Sequence, residues 1–258
     1  MQRTISHATS TDLSRSATPL RWEVWLLRAL LAASATYAVF RGEKTSAPAP
    51  LIALALTWGP ALVAARGGQR APRLVEALWA LTLAIPAASD ALGLYERFTH
   101  WGKLVHGIEG GLLAAIAAFL LLGYADRAEL GLPRQLAALA SVCVGITAGV
   151  VWEFVEFAID WVSSADLQKS NTDTMTDLLW SNLAALGAAV LAVRVYHHAL
   201  DDKGRAALGA LGDCLFTPIG HLLDRHGKVA FLLLVLLIAA SIAGLWFTGR
   251  PVPGLPIE

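Results

Sequence analysis

Apolar and polar positions do not alternate finely along this chain; they come in long blocks. Seven apolar blocks lie at 22–40, 50–66, 73–95, 102–124, 135–160, 175–197 and 229–248. Each is near the ~20 residues that a helix needs to cross the hydrocarbon core of a bilayer. The pattern predicts an all-α fold, a polytopic transmembrane helical bundle of about seven spans. The block at 50–66 is the weakest, because Pro60 interrupts a short apolar run and proline removes a helix hydrogen bond. It reads as a full span or as a re-entrant segment. The block at 229–248 is the purest and holds no ionisable residue.

The polar stretches set the domain boundaries. Residues 1–20 are rich in Ser and Thr and read as a flexible polar tail. Residues 21–250 read as one transmembrane helical domain, and 251–258 as a short C-terminal tail. Within the domain, 199–228 is the longest connection. It carries Leu208, Leu211, Leu215 and Leu222 at helical spacing, which predicts an interfacial helix lying along the membrane. The first block also resembles a signal peptide, with Arg21 ahead of it and Ala35-Thr-Tyr-Ala38 as a cleavage site. Arg28 inside the block and the long polar tail before it favour a retained span.

Composition sharpens the class. Hydrophobic residues make up 56%, charged residues 16%, and the mean hydropathy is +0.56. A soluble domain carries about 25% charged residues. Lys plus Arg and Asp plus Glu each number 20, so the formal net charge is zero. That balance gives no basic field for nucleic acid, and the expected partner is the lipid bilayer. Cys143 and Cys214 lie in unlike contexts, one in an apolar block and one in a polar connection, which argues against a disulfide scaffold. With seven spans, thirteen Lys and Arg fall on the side of the N-terminus and six on the other. The excess predicts a cytoplasmic N-terminus, in a multi-pass protein of a bacterial inner membrane.

Ionisable residues inside the blocks are where chemistry is expected. Each costs about 2.5–3.5 kcal/mol at a helix centre, less near the ends. Asp90 closes the third block, and Lys103, His106 and Glu109 open the fourth. Glu153, Glu156 and Asp160 close the fifth, and Asp173 and Asp177 stand at the start of the sixth. In the predicted topology all four ends face outward. Gly145, Gly149, Glu153, Glu156 and Asp160 fall on one helical stripe, small residues below and carboxylates above. Asp173, Asp177, Ser181, Ala184 and Ala188 make a second, and His106, Gly110, Ala114 and Ala117 a third. The acids are therefore expected on the packing faces, pointing into the bundle.

An imidazole with several carboxylates and no thiolate suits Zn²⁺, Mn²⁺ or Fe. His106, Glu153, Glu156, Asp160, Asp173 and Asp177 are the candidate ligands. His106, Glu153 and Asp173 are the expected catalytic groups, with Asp90 and Lys103 supporting them. Such a site fits a metal-dependent hydrolase in which activated water attacks an ester or phosphoester of a lipid or envelope substrate. Two other classes use the same residues: a proton- or cation-coupled transporter, and a scaffold whose buried ion pairs fix helix register. Gly-x-Ser-x-Gly, a phosphate loop and His-Glu-x-x-His are all missing from the sequence.

These residues also carry a resemblance. Trp101-Gly-Lys-Leu-Val-His106 followed by Gly110 resembles the aromatic-Asp-Lys-x-x-His motif of YjdF-like and, more distantly, VanZ-like bacterial membrane proteins. Trp152-Glu153-Phe-Val-Glu156 is similar to that family's Trp-Glu-x-x-Glu block. Asn171-Thr-Asp173-Thr-Met-Thr-Asp177-Leu resembles its Asp-Thr-x-x-Asp-Leu block. The three blocks follow in the family's order across about 90–190. Gly102 stands where the family pattern has an Asp, so that carboxylate's role is lost or passes to a neighbour such as Asp90. The resemblance implies a multi-helix integral membrane protein and no established activity.

Overall fold

In the computed structural model, residues 21–42, 48–163 and 167–248 are described, and the tails expected at 1–20 and 251–258 lie outside them. All regular elements among the described residues are helices. They are α1 (Trp22–Arg41), α2 (Pro48–Leu56), α3 (Gly59–Arg66), α4 (Arg73–Ala91), α5 (Leu94–Arg97), α6 (Trp101–Arg127), α7 (Arg134–Ser163), α8 (Asn171–His198) and α9 (Asp202–Thr248). Among the described residues, seven helical stretches are long and apolar enough to cross a membrane. The all-α, seven-helix reading therefore stands.

The weak second block is split. The chain turns at Thr57 and Trp58, two residues ahead of Pro60, and the two halves become α2 and α3. Arg28 of α1 reaches across to this turn. Its Nε donates to Thr57 Oγ1 at 3.0 Å and its Nη2 to the Thr57 carbonyl at 3.4 Å. A carbonyl at a helix break needs a partner outside the helix ladder, and a buried guanidinium supplies it here.

At the other end of α4, Gly93 takes a positive φ of 66° and lets the chain turn into α5. Ser170 caps α8 by accepting from the Asp173 backbone N–H at 3.1 Å.

The sequence pattern separates an interfacial helix in 199–228 from a span at 229–248, whereas the structure runs them together as α9. At about 1.5 Å per residue its 47 residues extend about 70 Å. Within α9, Asp202–Val229 is long and apolar enough to cross a membrane. Leu208 and Leu211 are buried, Leu215 is half-buried and Leu222 is exposed. Their neighbours are the last turns of α3 and α6. A Cβ on Gly123 would meet the Gly209 backbone at 2.6 Å, and one on Gly212 would meet the Leu120 carbonyl at 2.7 Å. Leu208 and Leu211 thus pack on the bundle, and Leu222 does not.

Three helices make the centre. α6 lies between α7 and α8, and small residues set its distance from both. A Cβ on Gly145 would come within 2.9 Å of the Gly110 carbonyl and 3.0 Å of the Ala114 Cβ. A Cβ on Gly110 would come within 2.8 Å of the Ser181 carbonyl. Only glycine allows such backbone approach. The small-residue stripes of α6 and α7 thus face inward as their spacing predicts. On α8 the phase is shifted by one residue. Asp177, Ser181, Ala185 and Ala189 are buried, while Ala184 and Ala188 flank them against Gly107 and Gly111.

Candidate functional site

The acids predicted on the packing faces meet where the α6–α7–α8 stripes reach their polar end. His106 is one turn and a half into α6. About two turns above Gly145, beyond the glycine run of α7, Glu153 takes over the same face. Asp177 sits on α8 one turn above Ser181 and about two turns inside the helix start. His106, Glu153 and Asp177 are 9%, 6% and 7% exposed. Each offers one ligand atom, and the three atoms lie within 4.8 Å of one another.

The imidazole is the hub. Its Nδ1 is 3.9 Å from Glu153 Oε1, and its Nε2 is 3.8 Å from both Glu156 Oε1 and Asp177 Oδ2. These separations are too long for hydrogen bonds. They suit donors gathered around a small cation, since metal–ligand bonds of about 2.0–2.2 Å place neighbouring ligand atoms roughly 3–4 Å apart. Glu153 Oε1 and Asp177 Oδ1 are buried and have no hydrogen-bond partner. Leaving buried carboxylate oxygens without a hydrogen bond is costly; Lys103 at 3.8 Å offsets part of this for Asp177, and a bound cation would satisfy Glu153 Oε1. The donor set of one imidazole and two or three carboxylates fits Zn²⁺, Mn²⁺ or Fe.

Other side chains fix this core. Trp152 donates its indole N–H to Glu156 Oε1 at 2.7 Å, one helical turn away. Gln168 donates to Glu153 Oε2 at 3.5 Å. Lys103 Nζ binds Asp173 Oδ1 at 2.9 Å and stands 3.8 Å from Asp177 Oδ1. Ser181 Oγ, buried and without a partner, lies just below.

Three predicted site residues stand apart from the ligand group. Asp173 is held by Lys103, and its backbone N–H is taken up by the Ser170 cap, so it acts here as an ion-pair partner. Asp160 accepts the backbone N–H groups of Leu167 and Gln168, each at 2.7 Å, and so ties the α7–α8 connection. Asp90 lines a separate cavity of about 350 Å³ with Tyr37, Arg41, Glu96 and Arg97. Sequence spacing did not single out Gln168, whereas Ser181 falls on the predicted α8 stripe. Trp152 and Glu156 were legible as an i, i+4 pair.

With this geometry in view, the comparison with protein families is decisive on one point. Residues 23–198 match the family described as Predicted membrane protein (DUF2238). The chain belongs to this family. The match spans α1 to α8 and includes every residue of the acid–histidine cluster. Neither the curated proteins nor the solved structures hold a match to the chain.

Proposed function

We propose that the cluster of His106, Glu153, Glu156 and Asp177 is a divalent-cation site and that the protein is a metal-dependent, hydrolase-like membrane enzyme acting on a lipid or envelope ester or phosphoester. One observation carries this reading. Three donors from three helices converge within 4.8 Å, and two of their buried oxygens accept no hydrogen bond, Lys103 standing 3.8 Å from one of them. A cation bound there would supply Lewis acidity to the oxygen of an ester or phosphoester group.

The chain's own residues have distinct parts in this proposal. His106, Glu153 and Asp177 hold the ion, and Glu156, oriented by Trp152, accepts a proton from water. Lys103 neutralises Asp173 and leaves Asp177 directed at the site. The excess of Lys and Arg on the N-terminal side supports a cluster at the outer face of an inner membrane, where lipid headgroups and envelope precursors are within reach. The three motif blocks support a kinship with YjdF-like proteins.

The test is hydrolysis of phosphoester and acyl-ester lipids by the purified protein, metal-loaded and chelated. Turnover restored only by added metal supports the reading. No turnover on either class, with metal bound, removes the enzyme part of it. A second reading draws on the 2.9 Å Lys103–Asp173 pair: the cluster is a structural lock between α6 and α8.

A further inference from the structure

At the opposite end of the bundle, α1, the α2–α3 turn and the start of α4 enclose a cavity of about 450 Å³. Its walls include Arg21, Arg28 and Arg70, with Gln69 and the indoles of Trp25 and Trp58. We propose that this cavity is a binding site for a phosphate-type anion, carried by a lipid headgroup or free in solution.

Arg28 is the anchor. Its guanidinium lies 3.8 Å from the centre of the Trp58 ring and 5.1 Å from that of Trp25. Thr57 fixes it from one edge through two bonds. It is buried, yet among the described residues no carboxylate forms an ion pair with it, and the charge it feels is that of Arg21. A guanidinium has five donors in a rigid fork, and stacking between aromatic faces pre-orients that fork.

The acid in the wall, Glu76, is already engaged. It pairs with Arg21, which also donates to the Ala71 carbonyl at 2.9 Å. Burial and the neighbouring charges of Arg70 and Arg73 pull the Arg21 guanidinium below its usual pKa. With Arg21 and Glu76 paired, the Arg28 guanidinium leaves a positive charge in the cavity wall. Bidentate recognition by arginine is the characteristic way to hold a phosphate oxygen pair, and basic pockets between membrane helices are suited to anionic headgroups. The volume exceeds what a bare phosphate needs and leaves room for a small ester substituent. Trp25 is also exposed on the outer surface of α1, where an acyl chain would run.

The test uses the full chain in dodecyl maltoside. The probes are inorganic phosphate, against matched sodium chloride, and dioleoyl phosphatidylglycerol, against dioleoyl phosphatidylcholine. Thermal unfolding and native mass spectrometry give the apparent affinity. One or both anions are expected to bind, and Arg28→Gln is expected to weaken binding about tenfold, the loss of a charge-assisted hydrogen bond. Arg70→Gln weakens it in the same direction, and Arg66→Gln, outside the cavity, leaves it unchanged. Binding of phosphate alone identifies a free anion, and binding of phosphatidylglycerol alone identifies a headgroup. If Arg28→Gln fails to fold, Arg70→Gln carries the comparison. No binding above the matched controls overturns the proposal, as does binding indifferent to the cavity variants.

Discussion

His106 Nε2 faces Asp177 Oδ2 at 3.8 Å across the interface of α6 and α8. That distance depends on what lies one turn below. There Gly110 packs on the Ser181 backbone, so closely that a Cβ would sit 2.8 Å from the Ser181 carbonyl. The chemistry at the polar end of the bundle is thus positioned by the absence of side chains beneath it.

Gly110→Ala is therefore expected to push α8 away from α6. Overpacking of this kind costs about 1–3 kcal/mol, and the clash is with backbone, which yields less than a flexible side chain. Gly187→Ala is the matched control, because nothing lies within 4 Å of its added methyl. It should gain up to about 1 kcal/mol from helix propensity. Thermal or denaturant unfolding in detergent reads both. Equal effects from the two substitutions would contradict the packing account.

The Lys103–Asp173 pair separates a structural lock from a ligand site. Lys103→Ala or Asp173→Ala alone should each cost about 1.5–3 kcal/mol, the range for hydrogen bonds to charged groups. The double variant Lys103→Asp with Asp173→Lys should recover part of that stability. A lock tolerates the exchange in full. A cation site does not, because the swap carries a positive charge and a new carboxylate to the edge of the Asp177 ligand. The measurement is unfolding stability and metal content side by side.

Asp160 shares a helical stripe with Glu153 but is assigned here to the chain connection. In Asp160→Asn one of the backbone N–H groups of Leu167 and Gln168 keeps a weaker acceptor, and the other faces the amide NH₂. Loss of about 1.4 kcal/mol corresponds to a tenfold rise in local opening. Hydrogen exchange at those two amides should accelerate by about that factor with metal content unchanged. Loss of metal in this variant would place Asp160 among the ligands instead.

Spacing along single helices carried most of this site. The register of Gly145, Gly149 and Glu153 pointed one face of α7 inward, and His106 with Gly110 did the same for α6. On α8 the phase was ambiguous because Ala184, Ala185, Ala188 and Ala189 are equally small, so the pattern has no edge to read. What spacing could not reveal is pairing between distant segments. Lys103 meets Asp173 seventy positions on, Gln168 folds back on Glu153, and Arg28 finds Thr57 across a break. The continuity of α9 was hidden for a local reason: Asp224, Arg225 and Lys228 look like a boundary by polarity but do not break a helix.

The central claim is the cation site, and metal content tests it most directly. Elemental analysis of detergent-purified protein after mild chelation and dialysis would compare the wild type with His106→Ala and Glu153→Ala. The account predicts near-stoichiometric transition metal in the wild type, lost in both variants while each remains folded and monodisperse. A folded wild type that retains no metal, or variants that retain as much as the wild type, would contradict it.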